Sequence, residues 1–175
     1  MTSRVLVWLG LGAFRAEVAH VELEGDRLFA RGTQIGIDPE PYEVRYELET
    51  GAGFVTERLL LESRTRGGVN SLELVRGSSA ELDWGPDCDL GFSPLTNTMP
   101  VLRHGLHRGG GALDLVMAWV SVPDLTVHRA AQRYTFLEPG LVRYEGVDSG
   151  FTADLVLDAD GFVVRYPGLA ERVAP

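Results

Sequence analysis

The sequence predicts an all-β protein of one domain, built as a barrel, a roll or a sandwich. Ten or more short segments carry strand patterns, and turn residues separate them every eight to twelve residues. No segment shows a long helical period. The composition does not change along the 175 residues in a way that marks a second domain, and this length suits one domain. We therefore treat residues 1–175 as a single domain.

The first predicted strand is residues 4–9, R-V-L-V-W-L. A positive charge followed by an apolar run also occurs in short signal peptides, but no small-x-small cleavage pattern follows closely. The run is too short to span a bilayer. We therefore expect a strand here, a cytoplasmic protein, and no stable insertion into a membrane.

Three strands are expected next, and the third has the clearest pattern. Residues 17–23 alternate apolar and polar side chains, a turn at residues 25–26 follows, and residues 27–35 form the hairpin partner. After a proline-containing loop, residues 42–49 alternate strictly between apolar and charged side chains. This period of two gives the strand one face that packs into the core and one face that is exposed to solvent.

The remaining strands are separated by turns rich in glycine and proline. Residues 112–120 are almost wholly apolar and fit a buried strand or a helix, and the nearby Pro123 with the β-branched and aromatic content favours the strand. Residues 125–137 form a long strand with a bulge or a helical turn at A-A-Q-R. Other strands are predicted at residues 54–63, 71–76, 80–84, 141–145, 151–158 and 162–166.

Residues 83–103, which we call the central stretch, interrupt this regular pattern. They contain a Trp, the only Cys, three acids and three of the nine prolines. A segment this irregular between regular strands is either a complicated turn or a site.

Trp84, Asn97 and Arg103 are candidate ligand-binding residues of the central stretch. An Asn amide and an Arg fork hydrogen-bond sugar hydroxyls, phosphate or carboxylate, and an indole stacks on an apolar sugar face or an acyl chain. The competing interpretation is structural: Asn97 bonds a strand edge, Arg103 pairs with Asp87 or Asp89, and Trp84 fills the core. We include Asp87 and Asp89 among the candidates.

The acids of the central stretch also raise the question of catalysis. Asp83, Asp87 and Asp89 could bind Ca²⁺ or act as an acid–base pair. The EF-hand spacing is absent, and aspartates beside glycine and proline typically cap turns by accepting backbone N–H bonds. Cys88 lies between two acids, which disfavour the thiolate, so we expect a small buried side chain. No catalytic residue is predicted.

Charge and composition exclude several classes of partner. The net charge is -9, and all 16 basic residues are Arg. This balance argues against nucleic acid, and the missing Lys excludes a Schiff base and a P-loop. His104 and His107 would point to opposite faces of a strand, so they would not share a metal. We expect no metal and no cofactor.

Several motifs together resemble a known family. They are residues 83–100, P-D-L-T-V from Pro123, Q-R-Y-T from Gln132, and L-D-A-D-G-F-V-V-R-Y-P-G from Leu157. They are similar to the family named Putative glycolipid-binding, long known as a domain of unknown function. With further patterns before residue 50, the resemblance covers nearly the whole chain.

The resemblance implies a spiral β-roll, a long curved antiparallel sheet wrapped on itself, with little or no helix. It is similar in general shape to bacterial lipoprotein carriers, and this likeness carries the functional expectation. A non-enzymatic protein would hold an acyl chain or a glycolipid in a cavity of the roll, with polar groups at its mouth. Two other functions stay open: an uncharacterised hydrolase that uses an Asp of residues 83–103, and an interaction or scaffold protein.

Overall fold

The computed structural model describes residues 2–173, which form one curved sheet of 13 strands. The strands are β1 Thr2–Gly10, β2 Arg15–Glu24, β3 Arg27–Gly36, β4 Tyr42–Thr50, β5 Thr56–Thr65, β6 Gly68–Val75, β7 Asp87–Leu90, β8 Ala112–Val120, β9 Val127–Glu138, β10 Leu141–Gly146, β11 Phe151–Leu157, β12 Val163–Tyr166 and β13 Ala170–Arg172. The all-β prediction is confirmed.

Helices are few and short. The α-helix α1 spans Thr98–His104, and 3₁₀ helices span Ala52–Phe54, Ala80–Trp84 and Leu95–Asn97. Across residues 2–173, no helix is long and apolar enough to cross a membrane.

The sheet is made of two meanders, the first from β1 to β6 and the second from β8 to β13, which meet where β1 pairs with β13. Its strand order is β6-β5-β4-β3-β2-β1-β13-β12-β11-β10-β9-β8-β7. All neighbours pair antiparallel except β7, which runs parallel to β8. β1 pairs with β13, with Trp8 opposite Arg172 and Gly10 opposite Ala170. The first and last strands of the chain therefore lie side by side in the middle of the sheet.

The central stretch fills the inside of the roll. All four residues of β7 are buried, and so are residues 95–101, which form the second half of the stretch. Cys88, Leu90, Leu95 and Met99 pack into a core with the inner faces of β1–β5. Val101 lies in a second core with the inner faces of β8–β12. The stretch thus joins the two meanders through their apolar faces.

Two tyrosines of β4 lie over glycines of β3 and bring the two backbones close together. Tyr46 stands opposite Gly32, and Tyr42 stands opposite Gly36. A Cβ on Gly32 would lie 2.2 Å from Tyr46 Cζ, and one on Gly36 would lie 2.5 Å from Tyr42 Cζ. A ring that covers a strand glycine is a known device of curved sheets.

We expect Gly32→Ala to lower the free energy of unfolding by about 1–3 kcal/mol, because the added methyl displaces the Tyr46 ring. Urea denaturation measures this change. Gly12→Ala is the matched control, since no atom lies within 4 Å of a Cβ there. Equal stabilities for the two variants would contradict the close contact between Tyr46 and Gly32.

Four sequence predictions about local structure were wrong or incomplete. The A-A-Q-R segment holds neither a bulge nor a helical turn, because β9 pairs with β8 in continuous register through these residues. Residues 80–84 form a 3₁₀ helix instead of a strand, and the nearby Arg76 guanidinium binds the carbonyls of Leu82 and Gly85. The strand predicted at residues 162–166 is followed by a further strand, β13, which the sequence analysis did not predict. The H-x-x-H motif does not lie on a strand, since His104 ends α1 and His107 lies in the turn after it.

Candidate functional site

An open cleft of about 340 Å³ lies at the mouth of the second meander, and we call it the aromatic cleft. Its aromatic residues come from the central stretch and from β8, β10, β11 and β12: Phe92, Trp119, Tyr144, Phe151 and Tyr166. Its polar residues are Asp89, Ser93, Asn97 and Ser149. A neighbouring cleft of about 240 Å³ shares Trp119, Tyr144 and Ser149, so the two form one groove.

The rings of the aromatic cleft form a contiguous cluster. Tyr144 packs edge-on against Tyr166, with ring centroids 5.7 Å apart. Phe151 lies 6.2 Å from Tyr144 and 6.1 Å from Tyr166. At the other end of the groove, the Trp119 ring lies 5.4 Å from that of His128. Tyr144 and Tyr166 are mostly buried, whereas Phe151 is 40% exposed and Phe92 and Trp119 are half-buried, so the last three rings are the accessible apolar surfaces of the cleft.

A chain of buried polar side chains ends at Asp89 in this cleft. Asn97 Nδ2 donates to Tyr134 Oη at 2.8 Å, and Tyr134 Oη donates to Gln132 Oε1 at 3.2 Å. Gln132 Nε2 donates to Asp89 Oδ2 at 2.6 Å. The other carboxylate oxygen accepts from Thr96 Oγ1 at 2.7 Å. These bonds fix the orientation of Asp89 and Asn97.

The Asp89 carboxyl has a pKa above that of an ordinary aspartate. Burial raises the pKa of Asp89 to about 6, and the hydrogen bonds from Thr96 and Gln132 oppose the rise. The carboxyl is mostly ionised at neutral pH and can accept hydrogen bonds from a ligand or exchange a proton with it.

Asp87 and Arg103 form an ion pair away from the aromatic cleft. Arg103 forms a fork with both oxygens of Asp87, and the Nη1–Oδ2 distance is 2.8 Å. Arg103 also donates to the carbonyls of Gly53 and Phe54, at 2.8 Å each. Asp87 is fully buried. The pair ties α1 to β7 and to the turn between β4 and β5, which is a structural role.

The structure thus separates the five predicted site residues into three locations. Asp89 and Asn97 line the aromatic cleft, while Asp87 and Arg103 pair with each other. Trp84 is half-buried and packs against the core of the first meander. The ligand-binding role of all five remains a prediction.

The other candidates of the central stretch are also spread out. Asp83 is exposed. Cys88 is fully buried, and burial raises the pKa of its thiol to about 12. Throughout the described part of the chain, no group of three or more His, Cys, Asp or Glu residues is placed to hold a metal ion.

Glu17 is an acid that the sequence analysis did not select. It lies on β2, is 3% exposed, and its Oε1 accepts from Tyr46 Oη at 2.5 Å and Ser93 Oγ at 2.7 Å. Burial raises the pKa of Glu17 to about 7, while hydrogen bonds oppose the rise. The sequence does contain a signal for this burial. Glu17 alternates in phase with the apolar Ala19 and Val21, so its side chain falls on the core face of β2.

A depression of about 420 Å³ lies on the outer side of β2–β5. Arg31, Arg45, Glu47 and Glu62 contribute to its lining. Arg31 and Glu47 lie 3.4 Å apart as an exposed ion pair. Such pairs remain hydrated and contribute little binding energy, so we place the candidate site in the aromatic cleft.

Comparisons with known proteins agree over nearly the whole chain. A family model described as "Putative glycolipid-binding" matches residues 5–172. A crystal structure of a DUF1089 family protein from Pseudomonas aeruginosa superposes with a TM-score of 0.76 at 26% sequence identity, covering 90% of this chain and 92% of that one. No curated protein matches the sequence.

Proposed function

Because this chain belongs to the Putative glycolipid-binding family, we propose that it binds the sugar head group of a glycolipid in the aromatic cleft and does not catalyse a reaction on it. The observation that carries this proposal is the meeting of five aromatic side chains with the hydrogen-bonded Asp89 and Asn97 in one open groove.

The chemistry of the cleft suits a sugar. A pyranose ring has apolar C–H faces and a polar rim of hydroxyls, so it needs flat rings and hydrogen-bonding groups at right angles to them. Phe92, Trp119 and Phe151 supply accessible rings, and Asp89 with Asn97 supplies acceptors and donors. A head group with no net charge also suits a protein of net charge -9.

The packing of the roll favours the cleft over the interior as the binding place. Residues 87–90 and 95–101 occupy the space between the two meanders. An acyl chain inserted there would have to displace close-packed side chains. The proposal therefore places the head group in the groove and leaves the acyl chains in their membrane or micelle.

The positions of the aspartates support binding over hydrolysis. Glycoside hydrolysis uses two carboxyls that flank one bond. Asp89 faces the aromatic cleft, whereas Asp87 is held by Arg103 and Asp83 is exposed. The three acids do not face one common pocket, so a shared acid–base pair from the central stretch lacks support.

Flotation with phosphatidylcholine vesicles, with and without a glycosyl diacylglycerol, tests the proposal. We expect the protein to float only with the glycolipid, and Trp119→Ala to weaken this binding about tenfold or more, since truncation of a central aromatic contact has that effect. Val69→Ala is the control, because Val69 is 57% exposed on the distant edge strand β6. Equal flotation with both kinds of vesicle would overturn the proposal, and release of free sugar would indicate a hydrolase.

A further inference from the structure

A small cavity of about 10 Å³ lies next to the aromatic cleft, enclosed mainly by β1–β4. Trp8, Arg15, Glu17, Gln34 and Tyr42 line it. This volume is room for one water-sized group. Glu17 and Gln34 are direct partners across β2 and β3, so their side chains enter the cavity side by side.

Four buried polar atoms of these lining residues have no hydrogen bond of normal geometry, although Gln34 lies close enough to Glu17, and Arg15 close enough to Tyr42, to lower the pKa of the neighbouring group. The four atoms are Glu17 Oε2, Gln34 Oε1, Tyr42 Oη and Arg15 Nε. Native proteins leave few buried polar atoms unpaired, because each carries a desolvation penalty. Four such atoms around one cavity indicate a place where an external group completes the hydrogen bonds.

The donors and acceptors among these four atoms indicate which chemical group would complete their hydrogen bonds. When Glu17 is ionised, its Oε2 accepts, as Gln34 Oε1 does; Arg15 Nε donates, and Tyr42 Oη does either. The Arg15 guanidinium disfavours a cation, and the Glu17 carboxyl disfavours an anion. A neutral hydroxyl both donates and accepts, so it matches the set.

The cavity and the aromatic cleft share walls. Phe92 and Leu169 line both spaces. Ser93 lines the cleft and donates to Glu17 Oε1 at 2.7 Å. Phe92 has a left-handed backbone conformation with φ 62°, and the Arg15 guanidinium lies 3.7 Å from its ring centroid. A ring bound against Phe92 in the cleft therefore lies beside the cavity.

We propose that this cavity is a second subsite of the aromatic cleft, which binds one hydroxyl group of the sugar through Glu17, Gln34 and Tyr42. This inference rests on the proposed glycolipid function. It assigns head-group recognition to residues of the first meander, whereas the cleft itself is built mainly by the second.

The test uses octyl β-D-glucoside below its critical micelle concentration and glycerol as probes. The ¹³C signal of the Glu17 δ-carbon reports on the cavity, and its loss in Glu17→Gln assigns it. Calorimetry gives the affinity of octyl glucoside for the wild type, Trp119→Ala and Tyr42→Phe. Tyr42→Phe removes a hydroxyl without a protein partner and keeps the ring over Gly36, so the variant is expected to fold normally.

We expect octyl glucoside to shift the Glu17 signal, and Tyr42→Phe to weaken its binding about fivefold or more, as the loss of one hydrogen bond predicts. One outcome would overturn the subsite and leave the proposed function standing. In it, octyl glucoside binds and Trp119→Ala weakens that binding, but octyl glucoside does not shift the Glu17 signal and Tyr42→Phe does not change the affinity. If octyl glucoside does not bind but glycerol shifts Glu17, the hydroxyl site stands and the glycolipid function fails. A Glu17 signal that neither probe moves overturns the inference.

Discussion

Replacement of Arg103 by methionine is expected to lower the free energy of unfolding by about 3–5 kcal/mol, the usual result of breaking one partner from a buried ion pair. The variant leaves Asp87 buried without its guanidinium partner. It also leaves the carbonyls of Gly53 and Phe54 without their side-chain donor. Urea denaturation followed by circular dichroism measures the change.

Arg143→Met is the matched control for this prediction. Arg143 also forms a fork with an aspartate, Asp154, at 2.7 and 3.0 Å, but both side chains are more than two-fifths exposed. Loss of such a surface pair typically changes stability by about 0–1 kcal/mol. A double variant with Asp87→Leu as well should recover part of the loss, because it removes the buried charge. Equal effects of Arg103→Met and Arg143→Met would show that the buried pair does not hold the central stretch in place.

Glu17→Gln is expected to make the protein more stable at pH 8. Burial raises the pKa of Glu17 from 4.5 to about 7. Between these values the folded state binds more protons than the unfolded state, so wild-type stability falls as pH rises. One unit of pKa difference corresponds to about 1.4 kcal/mol, so the variant should gain about 3 kcal/mol above pH 7 and little near pH 4.5.

The glutamine also repairs the hydrogen bonding of the cavity. Its Oε1 can accept from Tyr46 and Ser93 as before, and its Nε2 can donate to the unpartnered Gln34 Oε1. Glu22→Gln, at an exposed position on the outer face of the same strand, is the control and should change stability little. Denaturation curves at pH 4.5 and pH 8 provide the comparison. A Glu17→Gln variant that is less stable than the wild type at both pH values would contradict the assigned protonation behaviour.

These two predictions treat Asp87 and Glu17 as opposite kinds of buried acid. Asp87 has a complete set of partners, and its removal or isolation weakens the fold. Glu17 lacks part of its hydrogen bonding, and its replacement by glutamine is expected to stabilise the fold. Proteins tolerate such local destabilisation mainly at functional sites. For this reason the functional inference is based on Glu17 and not on Asp87.

Most of the sheet could be predicted because each strand has its own local pattern of apolar and polar side chains. In β4, apolar and charged side chains alternate from Tyr42 to Glu49, and the structure buries the apolar set. Helix α1 was missed for a physical reason. It is short and is buried from Thr98 to Val101, so it lacks the polar stripe that reveals an amphipathic helix. Pro100 near its start and Gly105 after its end, with φ 65°, were the available signals.

The candidate site could be predicted only in part. The central stretch was recognised as special, and two of its five candidates, Asp89 and Asn97, line the cleft. The aromatic residues of the cleft could not be selected, because Trp119 and Tyr144 lie in ordinary strand patterns that also fit a core. Their convergence depends on the register of strands far apart in sequence, which local patterns do not contain.

The pairing of β1 with β13 affects the order in which the sheet can form during synthesis. Hairpins β1–β6 can pair as they leave the ribosome, since each contact is local. The other edge of β1 waits until residues 170–172 have been synthesised. During that interval β1 is an open edge flanked by Val5 and Leu9, which are 52% and 44% exposed even in the finished sheet. Nascent chains therefore expose an aggregation-prone edge until β13 pairs with β1.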